Sequence, residues 1–167
     1  MNLDKSSFKQ QISYLKQDIV RALSFYKDKK AKLLFFFDAG FLIVVFYRVF
    51  RGYRFTLIHI PLLRALLEKI VELLLKSHFP SSLVCGPGLV IFHGFGIVVN
   101  AKSKLGNNVT LYHGVTIGER FPGDECPIIS NRVSVGCNAS VFGPIRIPAG
   151  KIVKSGDTIV YSRKIKN

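Results

Sequence analysis

From Val99 to Ile159 an aliphatic residue returns at every sixth position: Val99, Leu105, Leu111, Ile117, Ile129, Val135, Val141, Ile147, Val153 and Ile159, with Gly123 filling the one slot that breaks the series. Turn-forming or small residues follow these anchors, at Gly106, Gly118 and Gly136 one place on and at Asn108, Gly114, Asn138, Pro144, Gly150 and Gly156 three places on. A helix of 3.6 residues per turn would scatter such anchors over several faces. Turn residues recur too soon for strands of ordinary length. A hexapeptide period therefore predicts a parallel β-helix in which each anchor points into the coil. Three hexads make one coil, so residues 18 apart should stack, and Ala101, Glu119, Cys137 and Ser155 are expected to form one column.

The residues before the repeat follow a different rhythm. Phe8, Ile12, Leu15, Ile19 and Leu23 are spaced as one face of an amphipathic helix. The apolar stretch Leu33–Phe50 approaches membrane-spanning length but is interrupted by Asp38-Ala39-Gly40 and by Arg48. Burial between subunits is the preferred reading. Peripheral attachment to a membrane face, with Arg48, Arg51 and Arg54 at the headgroups, is the alternative. A further helix begins at Pro61 with Leu62, Leu63, Leu66, Ile70, Leu73 and Leu74 expected inward, and ends near Pro80. The chain of 167 residues thus divides into an α-helical N-terminal region over 1–80 and a β-helix over 81–167.

Charge and cysteines narrow the setting. The net charge of +14 is spread over both halves, with 14 Lys/Arg against 6 acids up to Pro80 and 10 against 4 beyond it. Such a surface attracts phosphates, whether of a coenzyme or of an anionic membrane. No nucleic-acid-binding pattern accompanies the charge, so a nucleic-acid partner is not expected. Three cysteines, Cys85, Cys126 and Cys137, without a C-x-x-C pair, point to a reducing compartment, and the N-terminus does not read as a signal peptide. The expected location is cytoplasmic, with contact at the inner membrane face as a further expectation.

His93 and His113 are the candidates for chemistry. They lie 20 residues apart and face one groove if the first turn carries a two-residue bulge. An imidazole titrates close to neutral pH and can take a proton from a hydroxyl. Histidines on such coils can also hold zinc, but His59 and His78 fall in or beside the helical part, so no metal is expected.

His93-Gly94 with Val98-Val99-Asn100, then His113-Gly114-Val115-Thr116-Ile117-Gly118, then Cys126-Pro127 ahead of Ile129, together resemble the serine O-acetyltransferase branch of the hexapeptide acyltransferases. The chain is similar above all to the colanic-acid-type exopolysaccharide O-acetyltransferases, and Leu15–Ile19, Gly40-Phe41 and Tyr47-Arg48 extend the resemblance to the front. The resemblance implies a left-handed parallel β-helix, a homotrimer with active sites between neighbours, and acetyl-CoA as donor. His93 matches the general base of that family. The pantetheine arm is expected beside Gly118, Gly136, Cys137 and Ser155, and the CoA phosphates near Lys151, Lys154, Arg163 and Lys164.

Three positions depart from the family pattern. The aspartate preceding the first catalytic histidine, which helps hold the amino acid, is Phe92 here. The second active-site histidine is replaced by Cys126, and the aspartate that orients the base, 15 residues before it, by His78. The loop Glu119–Glu125 breaks the repeat and is expected to overhang the acceptor site. An aromatic in place of a carboxylate suits a sugar better than an amino acid. The expected activity is acetyl transfer from acetyl-CoA to a hydroxyl of a capsular, exopolysaccharide or lipid-linked saccharide acceptor. Serine O-acetylation and a non-catalytic trimeric scaffold are the alternatives.

Overall fold

The computed structural model describes residues 7–53 and 61–160. Four helices, α1 (Phe8–Ser24), α2 (Lys29–Phe35), α3 (Ala39–Tyr53) and α4 (Pro61–Leu75), precede twelve short strands. The strands form three parallel sheets of four, one per face of a triangular solenoid. The first sheet holds β1 (Val84–Cys85), β4 (Lys104–Leu105), β7 (Ile128–Ile129) and β10 (Arg146–Ile147). The second holds β2 (Val90–Phe92), β5 (Thr110–Tyr112), β8 (Ser134–Val135) and β11 (Ile152–Val153). The third holds β3 (Val98–Val99), β6 (Thr116–Gly118), β9 (Ser140–Phe142) and β12 (Thr158–Val160).

The hexad anchors do point inward: Val99, Leu105, Leu111, Ile117, Ile129, Val135, Val141, Ile147 and Val153 are all buried. Register is less uniform than the hexads suggest. Val135 pairs with Val153 at the expected step of 18, but Ile91 pairs with Leu111 at a step of 20 and Leu111 with Val135 at a step of 24. The first surplus is the two-residue bulge between Phe92 and Val98; the second is the loop between Gly118 and Ile128. Because that loop adds six residues, the expected column of Ala101, Glu119, Cys137 and Ser155 does not form. Strand pairing stacks Cys137 under His113, whose carbonyl accepts from Asn138 N at 2.9 Å, and Ser155 under Cys137. Ala101 and Glu119 share the other end of the third sheet.

A solenoid leaves the backbone groups of its first coil unpaired. Here the helices cover that edge with arginines. Arg48 donates to the carbonyls of Cys85 (3.1 Å) and Gly86 (2.6 Å), Arg51 to Ser81 (3.1 Å), and Arg21 to Gly88 (2.6 Å). Arg48 also pairs with Asp18 at 2.8 Å, and Asp18 in turn accepts from Leu89 N at 2.8 Å. Tyr47 donates its hydroxyl to Leu83 O at 2.8 Å. Ile43, Val44 and Tyr47 join the same buried cluster as the coil aliphatics.

Three expectations about the front need correction. The face of α1 that is buried carries Gln11, Asp18 and Ala22, one place off the apolar stripe, because Arg48 must be met by polar partners. Arg48 and Arg51 are buried and cannot lie at lipid headgroups; Arg54 lies outside the described residues. On α4, Leu62, Leu63, Leu66, Ile70, Leu73 and Leu74 are exposed in the single chain rather than inward. Among the described residues no single helix is long and apolar enough to cross a membrane; α2 and α3 pass that test only as a pair bent by 51°.

Candidate active site

The corner between the second and third sheets is where the chemistry-bearing residues gather. Phe92 pairs with Tyr112, so the next residues, His93 and His113, stack one coil apart with ring centroids 6.4 Å from each other. His93 has φ of 52°, a left-handed conformation that side chains other than Gly, Asn, Asp and His rarely take. The bulge that follows is pinned by Phe95 N donating to His93 O at 2.6 Å and Gly96 N to Lys76 O at 3.0 Å. The strained turn throws the imidazole outward, leaving its side chain 73% exposed.

The beginning of α3 abuts this corner. A Cβ on Gly94 would come within 2.6 Å of the Gly40 backbone, and one on Gly40 would collide with Ile91 O. Two glycines face each other because nothing larger fits between helix and coil. The approach brings Asp38 Oδ2 to 3.5 Å from His93 Nδ1, while Asp38 Oδ1 accepts from Gly40 N at 2.7 Å. Asp38 is the site residue that sequence reasoning missed. Its spacing with Gly40 signals a helix start, and nothing in a linear pattern says which coil that start will touch.

Beside the histidine ladder runs an aromatic one. Phe92 and Tyr112 stack with centroids 5.2 Å apart and planes inclined by 28°. Phe92 also meets Phe25 edge-on at 5.3 Å. The position held by an aspartate in the resembled enzymes is thus part of an aromatic cluster.

The expected coenzyme residues separate into two places. Cys137 and Ser155 continue the histidine column. A Cβ at Gly136 would meet Ser155 N at 2.6 Å, so the packing of the next coil requires a glycine there. Lys154 and Lys151 are exposed beside that column, whereas Arg163 and Lys164 lie outside the described residues. Gly118 is elsewhere, on the third sheet, in a groove of about 360 Å³ lined by His78, Asn100, Ala101, Glu119 and Phe142 among others. A Cβ at Gly118 would make only an ordinary contact, 3.5 Å from Asn100 Cβ.

His78 bridges to Val98 and its Nδ1 lies 3.1 Å from Glu72 Oε2, so the residue in the orienting-carboxylate position has its own acidic partner. Against partial burial, which pushes the other way, Lys69 and His78 hold the Glu72 carboxyl below its ordinary range. Burial pushes the Cys126 thiol up, which keeps it protonated and a poor nucleophile near neutral pH. The loop Glu119–Glu125 leaves from the Gly118 end of the third sheet, so within one chain it does not share a corner with His93. Among the described residues no group of three His, Cys, Asp or Glu gathers at metal-binding distance; His59 lies outside them.

No family model matches the chain. It is 44% identical over 77 residues to the serine acetyltransferase of Helicobacter pylori, spanning 45% of this chain and 44% of that protein. It is 32% identical over 103 residues to the putative colanic acid biosynthesis acetyltransferase WcaB of Escherichia coli, spanning 61% of this chain and 63% of that one. The chain thus spans about half the length of these curated relatives. The crystal structure of Neisseria gonorrhoeae serine acetyltransferase superimposes with a TM-score of 0.76 at 24% identity, over 92% of this chain and 61% of that chain. The three-sided coil is accordingly the left-handed parallel β-helix implied by the motifs. In its ordered motifs, its sequence relatives and its fold, the chain is similar to the hexapeptide-repeat acetyltransferases of the serine acetyltransferase branch.

Proposed function

We propose that the protein is an acetyl-CoA-dependent O-acetyltransferase that acylates a sugar hydroxyl of a capsular, exopolysaccharide or lipid-linked saccharide. His93 is the general base. Its imidazole takes the proton of the acceptor hydroxyl as that oxygen attacks the thioester carbonyl, and returns a proton to the departing CoA thiolate. The acetyl group passes directly, without an acyl-enzyme at Cys126. The observation that carries the reading is the exposed His93–His113 ladder flanked by the stacked Phe92–Tyr112 ladder. Phe92 is packed among Tyr112, Phe25 and Tyr26 and offers no carboxylate to the ammonium group of serine, which favours an uncharged acceptor such as a sugar.

The serine reading keeps one argument: the relative of highest identity reported above is a serine acetyltransferase. The trimer with sites between neighbours, expected from the resemblance, is part of the proposal, with the loop Glu119–Glu125 of one subunit facing the histidines of the next. So is a cytoplasmic place of work at the membrane face, favoured by exposed Leu33, Leu34 and Phe37 beside the lysines of α2.

An acceptor panel decides between the two enzymes. Free CoA is measured from acetyl-CoA with L-serine and with extracted exopolysaccharide side by side. The saccharide should give turnover and serine only background, and His93→Asn, which tolerates the same left-handed backbone, should reduce turnover by about 10²–10⁴-fold in a protein that remains folded. Turnover with serine alone would overturn the sugar reading. Full activity of His93→Asn would overturn the base, and no release of CoA with any acceptor would favour the scaffold.

A further inference from the structure

The carboxylate beside His93 does not come from the coils. Asp38 sits in the turn between α2 and α3, and its two oxygens have different tasks. Oδ1 is tied to Gly40 N at 2.7 Å and the Asp38 carbonyl accepts from Leu42 N at 3.1 Å, so the residue is fixed as the start of α3. Oδ2 is left to face His93 Nδ1 at 3.5 Å. The carboxylate is only 21% exposed, behind a ring that is 73% exposed. This is unlike an encounter of two free surface side chains. The Gly40–Gly94 contact sets how near the helix stands to the coil, and the left-handed turn at His93 sets where the ring points.

We propose that Asp38 is a positioning residue: it holds His93 in the tautomer with the proton on Nδ1, which leaves the Nε2 lone pair outward to receive the acceptor's proton. The proposal rests on His93 being the base. It makes the helical front part of the catalytic machinery, and it supplies from α3 a carboxylate that the resemblance implies at the place of His78, where this chain has a histidine paired with Glu72.

Asp38→Asn is the informative variant. Asparagine caps a helix as well as aspartate does, so the amide oxygen can still accept from Gly40 N and α3 should start in the same place. The amide NH₂ then faces Nδ1 as a donor, which favours the opposite tautomer. In a serine protease triad, the corresponding carboxylate-to-amide change leaves geometry intact and fails for this reason.

The test uses the full chain with ¹⁵N-labelled histidine, with long-range ¹H–¹⁵N spectra recorded where the ring is neutral and His93 assigned by its disappearance in His93→Ala. The wild-type ring should carry its proton on Nδ1 and the Asp38→Asn ring should shift towards Nε2–H. With acetyl-CoA and the saccharide or serine acceptor that turns over, kcat should fall about 10- to 100-fold while KM stays within about twofold. An unchanged tautomer in Asp38→Asn overturns the proposal, as does wild-type kcat in Asp38→Asn where His93→Ala is inactive. If His93→Ala keeps its turnover, the base itself is lost; the tautomer spectra still report whether Asp38 orients the ring.

Discussion

Inside the coils the buried side chains are mostly aliphatic, with Ser103 and Thr110 the buried polar ones, whereas at the junction with the helices they are Arg48, Asp18, Gln11 and Arg51. The reason lies in the backbone. Within the solenoid each strand's carbonyls are paired with the next coil, so side chains need only fill space. The first coil has no coil before it, and its free carbonyls at Ser81, Cys85, Gly86 and Gly88 need donors. Arginine provides several from one side chain, and its charge is met in turn by Asp18. Burial raises the Asp18 carboxyl, with Arg48 and the Leu89 N–H opposing it. The junction is therefore a place of mutual dependence, where removing one member strands the others.

The sharpest way to break this comparison is Arg48→Ala. It would leave Asp18 buried without its cation and the carbonyls of Cys85 and Gly86 without a donor. The expected loss is about 3–5 kcal/mol, read from urea denaturation. A loss below about 1 kcal/mol would mean that the first coil does not need its arginine cover.

Next comes Gly94→Ala, which adds one carbon between helix and coil. Overpacking should cost about 1–3 kcal/mol. Since the same contact sets the Asp38–His93 distance, acetyl transfer should fall even where the protein remains folded. Equal turnover in a folded Gly94→Ala protein would separate the packing of α3 from the chemistry.

The smallest effect is expected in the coils themselves. Excising residues 120–125 brings Ile117 and Ile129 back to a six-residue step, and each of the strands on either side keeps its neighbours. Thermal stability should change by no more than about 0.5 kcal/mol, because a surface loop's closure cost varies slowly with length. Collapse of the fold on excision would show that the insertion is structural and not an attachment.

The bulge after Phe92 was readable from the 20-residue gap between two histidines in similar surroundings, and the ring stacking follows from it. Counting in eighteens places Cys137 beneath Glu119, whereas the six residues inserted after Gly118 move it beneath His113. Hydrophobicity gave α1 its helix but not its orientation: the stripe from Phe8 to Leu23 is only partly covered, and the buried side turns towards Arg48. The same scale sent α4's leucines inward, when a single chain has nothing there to receive them.

By itself the sequence determined the solenoid, since a six-residue period of aliphatics with turn residues between them has one low-energy way to bury every anchor. It also marked both histidines, because the motifs around them are local. Only the tertiary structure decided that Asp38 stands behind His93 and that the arginines of the front are structural. Those pairings join residues far apart in the chain, and they depend on the angle and distance at which a helix docks, which a periodic pattern does not encode.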